Sequence, residues 1–228
     1  MKRIPEPELM LTPAQAAAYA AADFAAPHER VVALFRRLFP DARPRAVLDL
    51  GCGPGDIACR FARAFPRCRV LGVDGSPAML ACGRRALRRE PALAGRVTLT
   101  RGLLQSWLPP QRFGTLLCNA LLHHLHDPQV LWSCIARCAA PGARVLVVDL
   151  RRPPTRRAAV ALRDRYAAGE PEILRHDFLH SFFAAFTPDE IRAQLRAAGL
   201  RGFRVRALGD RHVMVWGRVA QSATKCET

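Results

Sequence analysis

Two carboxylates, three glycines and an adjacent pair of histidines are the residues of this chain best placed for chemistry. Val47-Leu-Asp-Leu-Gly-Cys-Gly-Pro-Gly-Asp56 sets Asp49 in a short apolar run and puts Gly51, Gly53 and Gly55 in the turn that follows. Glycine reaches backbone conformations closed to other residues and lets a ligand come against the main chain. The free amides at the start of the next helix can then hold the ligand's polar end. Asp74 ends a second apolar run, and a carboxylate there can accept hydrogen bonds from both hydroxyls of a ribose. Asn119, His123 and His124 follow a further apolar run. Histidine titrates near neutrality, so either ring can serve as a base or hydrogen-bond an acceptor.

Alternating strands and helices must position these groups. Short apolar runs at Ala46–Leu50, Arg69–Asp74, Val97–Arg101, Thr115–Asn119 and Arg144–Leu150 read as strands. The segments between them read as helices, from Ile57 to Phe65, from Pro77 to about Arg88, and from Asp127-Pro128 through Cys138. Repeated strand–helix units with short turns imply a parallel sheet covered on both faces, a doubly wound α/β domain. Residues 1–44 read as an N-terminal helical cap before a domain spanning 45–217. Within that domain, 151–186 is an insertion of helical character on the substrate side. Thr187-Pro-Asp-Glu190 is a capping box that starts another helix. Phe203–Ala207 and His212–Trp216 form a terminal hairpin, and 218–228 a polar tail.

A ribose-binding carboxylate after the second strand is shared by nicotinamide or flavin dinucleotide sites and by S-adenosylmethionine sites. The dinucleotide fingerprint is G-x-G-x-x-G/A. Here the third glycine comes one residue early and Asp56 follows it, which would set an acid beside a pyrophosphate. The run VLDLGCGPGD, with VLGVDGS at Val70–Ser76, resembles the motifs of class I S-adenosylmethionine-dependent methyltransferases. Leu121-Leu-His-His-Leu-His-Asp-Pro128 and Ala140-Pro-Gly-Ala-Arg-Val-Leu-Val-Val148 are similar to segments of the small-molecule, quinone-biosynthesis-like branch.

The resemblance implies a Rossmann-like sheet of seven strands, mostly parallel with the last antiparallel, and S-adenosylmethionine as cofactor. By position, Gly51, Gly53 and Gly55 would approach the methionine portion. Asp49 would fix its amino group, Asp74 the ribose, and Ser76 and Met79 would flank the adenine. The family often carries an acid after the third strand for the adenine amino group; this chain has Leu103 there, followed by Leu104. That contact falls to backbone or Gln105, or is absent. Asn119, His123 and His124 would stand beside the transferring methyl, Asn119 against the cofactor as well. Tyr19, His28, His123, Arg151 and Arg152 are the residues expected at a small, anionic acceptor, methylated by in-line displacement.

Composition sets the remaining bounds. With 228 residues, half of them hydrophobic, the chain can bury one sizeable core. The start Met1-Lys-Arg-Ile-Pro-Glu-Pro-Glu does not resemble a signal peptide, and no apolar run is long enough for a membrane span. The expectation is a cytoplasmic bacterial enzyme, monomeric or homodimeric. Its eight cysteines lie mostly in apolar segments without C-x-x-C pairs and read as free thiols. The formal charge of +16 makes RNA binding or modification the alternative reading. Its arginines, however, are spread along helices, and the Asn/Asp-Pro-Pro-aromatic motif of base-amine methylation is missing after Asn119. His123-x-x-His126-Asp127 and His176-x-x-x-His180 have spacings open to metal, but neither brings a second ligand cluster, and no metal is expected.

Overall fold

The computed structural model describes residues 1–9 and 12–220. A seven-stranded sheet in the order β3-β2-β1-β4-β5-β7-β6 divides it into two cores. β1 (Ala46–Leu50), β2 (Arg69–Asp74), β3 (Val97–Arg101), β4 (Phe113–Asn119) and β5 (Ala139–Leu150) pair in parallel. β7 (His212–Arg218) runs antiparallel between β5 and β6 (Arg204–Leu208). Strand order reverses between β1 and β4, and a crevice at the carboxyl ends of these strands is where such sheets bind ligands.

Side chains alternate across the sheet as the pleat requires. Leu48, Leu50, Leu116, Cys118, Val145 and Val147 face α5 (Gln129–Cys138) and α8 (Pro188–Ala197). Val47, Leu117, Leu146 and Val148 face α2 (Ala25–Leu38), α3 (Asp56–Ala64) and α4 (Pro77–Leu87). α2 supplies Val31, Val32, Leu34 and Phe35 to this second core, so this part of the N-terminal segment packs as a layer on the main sheet. α1 (Pro13–Ala21), N-capped by Thr12, lies against α4 and α7.

Several boundaries differ from the sequence reading. β5 begins at Ala139, five residues before the expected Arg144, because the Pro141-Gly142 break kinks the chain without removing it from the sheet. A register shift opposite Phe113 and Thr115 takes up the extra residues, and Gly142 still donates to Val219. The insertion splits at Gly169–Pro171 into α6 (Arg156–Tyr166) and α7 (Glu172–Ala184), which share a third apolar cluster with Leu150. Arg218, expected in the tail, pairs with Arg144 at the end of β7; residues 221–228, Cys226 among them, lie outside the described residues. Cys52, Cys59, Cys68, Cys118, Cys134 and Cys138 are buried free thiols. Among the described residues, no helix is long and apolar enough to cross a membrane.

Candidate cofactor and acceptor site

The turn after β1 carries Gly51 and Gly53 at φ +67° and +52°. A Cβ on Gly51 would strike the Leu121 side chain at 2.6 Å, whereas Gly53 has open space where a Cβ would stand. Asp74 shapes this turn: Oδ2 accepts from Gly53 N at 2.8 Å and Oδ1 from Ser76 N at 2.7 Å. Behind the turn, Gly83 of α4 lets the helix approach the Pro54 carbonyl, which a Cβ would meet at 2.4 Å. Gly55 has a left-handed backbone (φ +79°) that opens α3, a Cβ there would meet Leu99 at 2.9 Å, and the residue does not line the groove.

A groove runs over this turn, lined by Asp49, Gly51, Gly53, Asp74, Ser76, Met79, Leu103, Leu104 and Asn119. Of the cofactor residues expected from sequence, Gly55 alone is missing from its walls. Asp49 is 2% exposed, and its Oδ2 has no hydrogen-bond partner. Burial first, and then the charge of Asp74, push its pKa up to about 7 against the backbone amide of Ala58. An orphaned buried acceptor beside an open glycine cradle and a ribose-height carboxylate fits the amino group and ribose of S-adenosylmethionine. Gln105 lines the groove where the expected acid is replaced.

A second cavity of about 440 Å³ joins the groove at Tyr19, His28, Asn119, Ala120 and His124. Tyr19 and His28 come from the N-terminal helices; His28 Nδ1 pairs with Asp56 Oδ2 at 2.7 Å. Asn119 and Ala120 sit on a turn in which Ala120 takes φ +51°, a costly conformation for a residue with a side chain. Asp149 of β5 holds that turn. Its Oδ2 accepts from Leu121 N and Leu122 N, and its Oδ1 pairs with His123 Nδ1 at 2.5 Å.

His123 is therefore a buried ring fixed by Asp149, although its edge lines the cavity. Its desolvation would lower its pKa, but Asp149 and then Glu6 outweigh this and raise it. His124 faces both groove and cavity. Burial, reinforced by His123, lowers its pKa to about 3, so the ring is uncharged at neutral pH.

Arg151 and Arg152 do not reach the cavity. Arg152 donates to Ala185 O and Glu190 Oε1 and ties the end of the insertion to α8, while Arg151 donates to Asp210 O in the β6–β7 turn. Arg30 and Arg211 line the cavity in their place. Sequence reading also missed Glu6 and Glu8. The N-terminal segment is anchored by Arg3 to the carbonyls of His123, Leu125 and Ala184, and crosses the loop after β4. It sets Glu8 and Leu9 at the groove. Neither of the two spacings open to metal gathers a third ligand; among the described residues the group that gathers is Glu6, His123 and His124.

Residues 47–143 match the family described as a methyltransferase domain. A methyltransferase of Mycobacterium bovis is 30% identical over 178 residues, 76% of this chain and 87% of that protein. Trans-aconitate 2-methyltransferase of Methylobacterium radiotolerans is 36% identical over 141 residues, 59% of this chain. That match spans about half of the relative's length, 51%. In fold, the chain is similar to the plantazolicin methyltransferase solved with S-adenosylhomocysteine (TM-score 0.69, 11% identity, 92% of this chain and 90% of that one). The sheet order and the glycine groove define a class I methyltransferase. The chain belongs to the S-adenosylmethionine-dependent methyltransferase family, with S-adenosylmethionine as its cofactor. The relatives support the class and not the quinone-biosynthesis branch expected from sequence.

With Asp49 holding the cofactor's amino group, as the sequence reading expects, cofactor affinity is expected to depend on pH. A cationic amino group binds the ionised carboxylate, and a carboxyl with its pKa raised to about 7 must first lose its proton. Affinity is expected to rise as pH climbs through about 7, approaching about tenfold per unit well on the acid side, and to fall again as the cofactor's amino group loses its proton near about pH 8. Asp49→Asn should bind weakly and without this slope, as calorimetry at several pH values would show. Stability of the free chain runs the other way. A raised carboxyl contributes most below its unfolded pKa, and that contribution is lost as pH rises through the folded value.

Proposed function

We propose that this cytoplasmic enzyme methylates a small organic acceptor bearing a carboxylate or phosphate, held in the cavity beside Asn119 and His124. The observation that carries the reading is Arg211. Its guanidinium lies 3.4 Å over the Tyr166 ring, and its Nη1 is buried without a hydrogen-bond partner on the cavity wall. Arg30 adds a second cation on a wall that also carries Asp23, Glu170 and Asp177. His212 is held neutral, because burial and then Arg211 lower its pKa to about 4. Phe24, Val31, Leu34, Leu174 and Phe178 supply apolar wall for the rest of the acceptor. Relatives named trans-aconitate 2-methyltransferase are consistent with an anionic acceptor.

When bound, S-adenosylmethionine supplies a methyl group on a positively charged sulfur. The chain's own contribution is placement, and holding the reacting atoms in line can account for several kcal/mol, up to about 7–11 in favourable systems. Asn119 and the uncharged His124 orient the acceptor, and Tyr19 stands with them where groove and cavity meet. A carboxylate nucleophile is already ionised at neutral pH, so it needs no base. The basic charge of the chain has a structural use as well: Arg36, Arg96 and Arg137 are tied to backbone carbonyls.

The test is release of S-adenosylhomocysteine over a panel of mono-, di- and tricarboxylates and small phosphate esters. Arg211→Gln is expected to raise the acceptor KM by roughly 10–100-fold, the range for one charge-assisted hydrogen bond, with cofactor affinity unchanged. Turnover of neutral acceptors alone, or an unchanged KM in Arg211→Gln, would refute the reading.

A further inference from the structure

Glu6, His123 and His124 bring one carboxylate oxygen and two imidazole nitrogens within 4.8 Å of one another. Glu6 Oε1 stands 3.5 Å from His123 Nε2 and 3.3 Å from His124 Nδ1. That oxygen is buried and has no hydrogen-bond partner. Had the carboxylate been closed by a charge-assisted hydrogen bond, the pair would lie at about 2.7–2.9 Å. Ligands around zinc at about 2.0–2.1 Å in tetrahedral geometry stand about 3.3–3.4 Å apart, the edge of the tetrahedron. The separations from Glu6 match that edge.

We propose that Glu6, His123 and His124 form a binding site for a divalent transition metal of the zinc class, with one oxygen and two nitrogen donors and a fourth position open. The surroundings are those of a built site. Asp149 Oδ1 pairs with His123 Nδ1 at 2.5 Å, which orients the ring with Nε2 toward Glu6; a carboxylate behind a metal-bound histidine does this, and an arriving ion would displace any proton on Nε2. Ser181 Oγ donates to Glu6 Oε2 at 3.3 Å and turns Oε1 toward the two rings. Two imidazoles and one carboxylate favour zinc, cobalt, nickel or copper over magnesium or calcium. Three protein ligands leave a place for an exchangeable oxygen, and both histidines line the acceptor cavity. The ion would also pin the N-terminal segment, which supplies Glu6, to the loop after β4.

The test uses full-length protein free of tag histidines, stripped with a chelator and titrated with Zn²⁺ and Co²⁺. One equivalent is expected to bind per chain, with the intense visible bands of four-coordinate cobalt. Glu6→Gln and His124→Ala should each abolish those bands while circular dichroism stays that of the parent. Asp149→Asn should weaken zinc about 10–100-fold, as changes behind a metal ligand do. Failure to bind a stoichiometric ion would overturn the proposal. So would full binding in Glu6→Gln, or loss of binding in His176→Ala, which would move the ion to the exposed His176–His180 pair. Cobalt spectra and stoichiometry do not depend on the acceptor, so they test this site whatever the substrate is.

Discussion

Asp74→Ala is expected to weaken S-adenosylmethionine binding by at least two orders of magnitude. In the free chain, Asp74 does one job that is visible: it ties the amide of Gly53 to that of Ser76, and so joins the glycine turn to the start of α4. In the complex it would also take the two ribose hydroxyls. Hydrogen bonds to a charged group are worth about 1.5–3 kcal/mol each, so losing two of them predicts roughly 10²–10⁴-fold in the dissociation constant. Relaxation of the turn adds to the loss, because Gly53 N would have no acceptor to hold φ at +52°. Asp74→Asn keeps the volume but turns an NH₂ group toward one of the two amides, and should fall between alanine and the parent. Calorimetry reads both. A folded Asp74→Ala chain with parental affinity would remove the groove as the cofactor site.

The groove was legible in the sequence because local rules write it. The strands are apolar runs of the right length, the turn needs glycine at Gly51 and Gly53, and Asp74 ends its strand one turn from them. Gly55 shows the limit of that logic. Its left-handed backbone follows from the motif, but whether it faces a ligand depends on Leu99, a residue two strands away. The acceptor side was less legible for the same reason. Arg151 and Arg152 stand at the carboxyl end of β5, where an anion site is reasonable, yet the Asp210 carbonyl in the β6–β7 turn claims Arg151, and the Ala185 carbonyl with the Glu190 carboxylate claims Arg152. Arg211 lies in a hairpin turn that composition marks only as a turn. Glu6 sits in a segment with no periodicity at all, and long-range anchors through Arg3, Ile4, His126 and Ser181 carry it to His123.

Asp149 is the strongest case of a residue whose role is invisible in its own strand, where it reads as one acid among Val147, Val148 and Leu150. It is 2% exposed and accepts from Leu121 N, Leu122 N, His123 Nδ1 and its neighbour Leu150 N. Burial alone would raise its pKa, but the His123 charge and these hydrogen bonds outweigh burial and hold it below the usual carboxylate range. Asp149→Ala would leave these donors buried without an acceptor. Breaking a buried pair by removing one partner costs about 3–5 kcal/mol, and for a chain of this size each kcal/mol lowers Tm by about 2–4 °C. A fall in Tm of roughly 6–20 °C follows from those two ranges. The sign with pH follows from the depressed pKa: the stabilisation is present above the unfolded carboxylate value and is lost as pH falls through the folded one. The parent and Asp149→Ala chains should therefore converge in Tm on acidification. Turnover should fall further than stability explains, because the same carboxylate holds Ala120 at φ +51° and so presents Asn119 to both groove and cavity. Asp149→Asn restores an acceptor for two amides but offers His123 a donor or a weaker acceptor. It should recover more of the Tm than of the turnover. Equal recovery of both would mean that the carboxylate serves packing and does not set the turn that faces the acceptor.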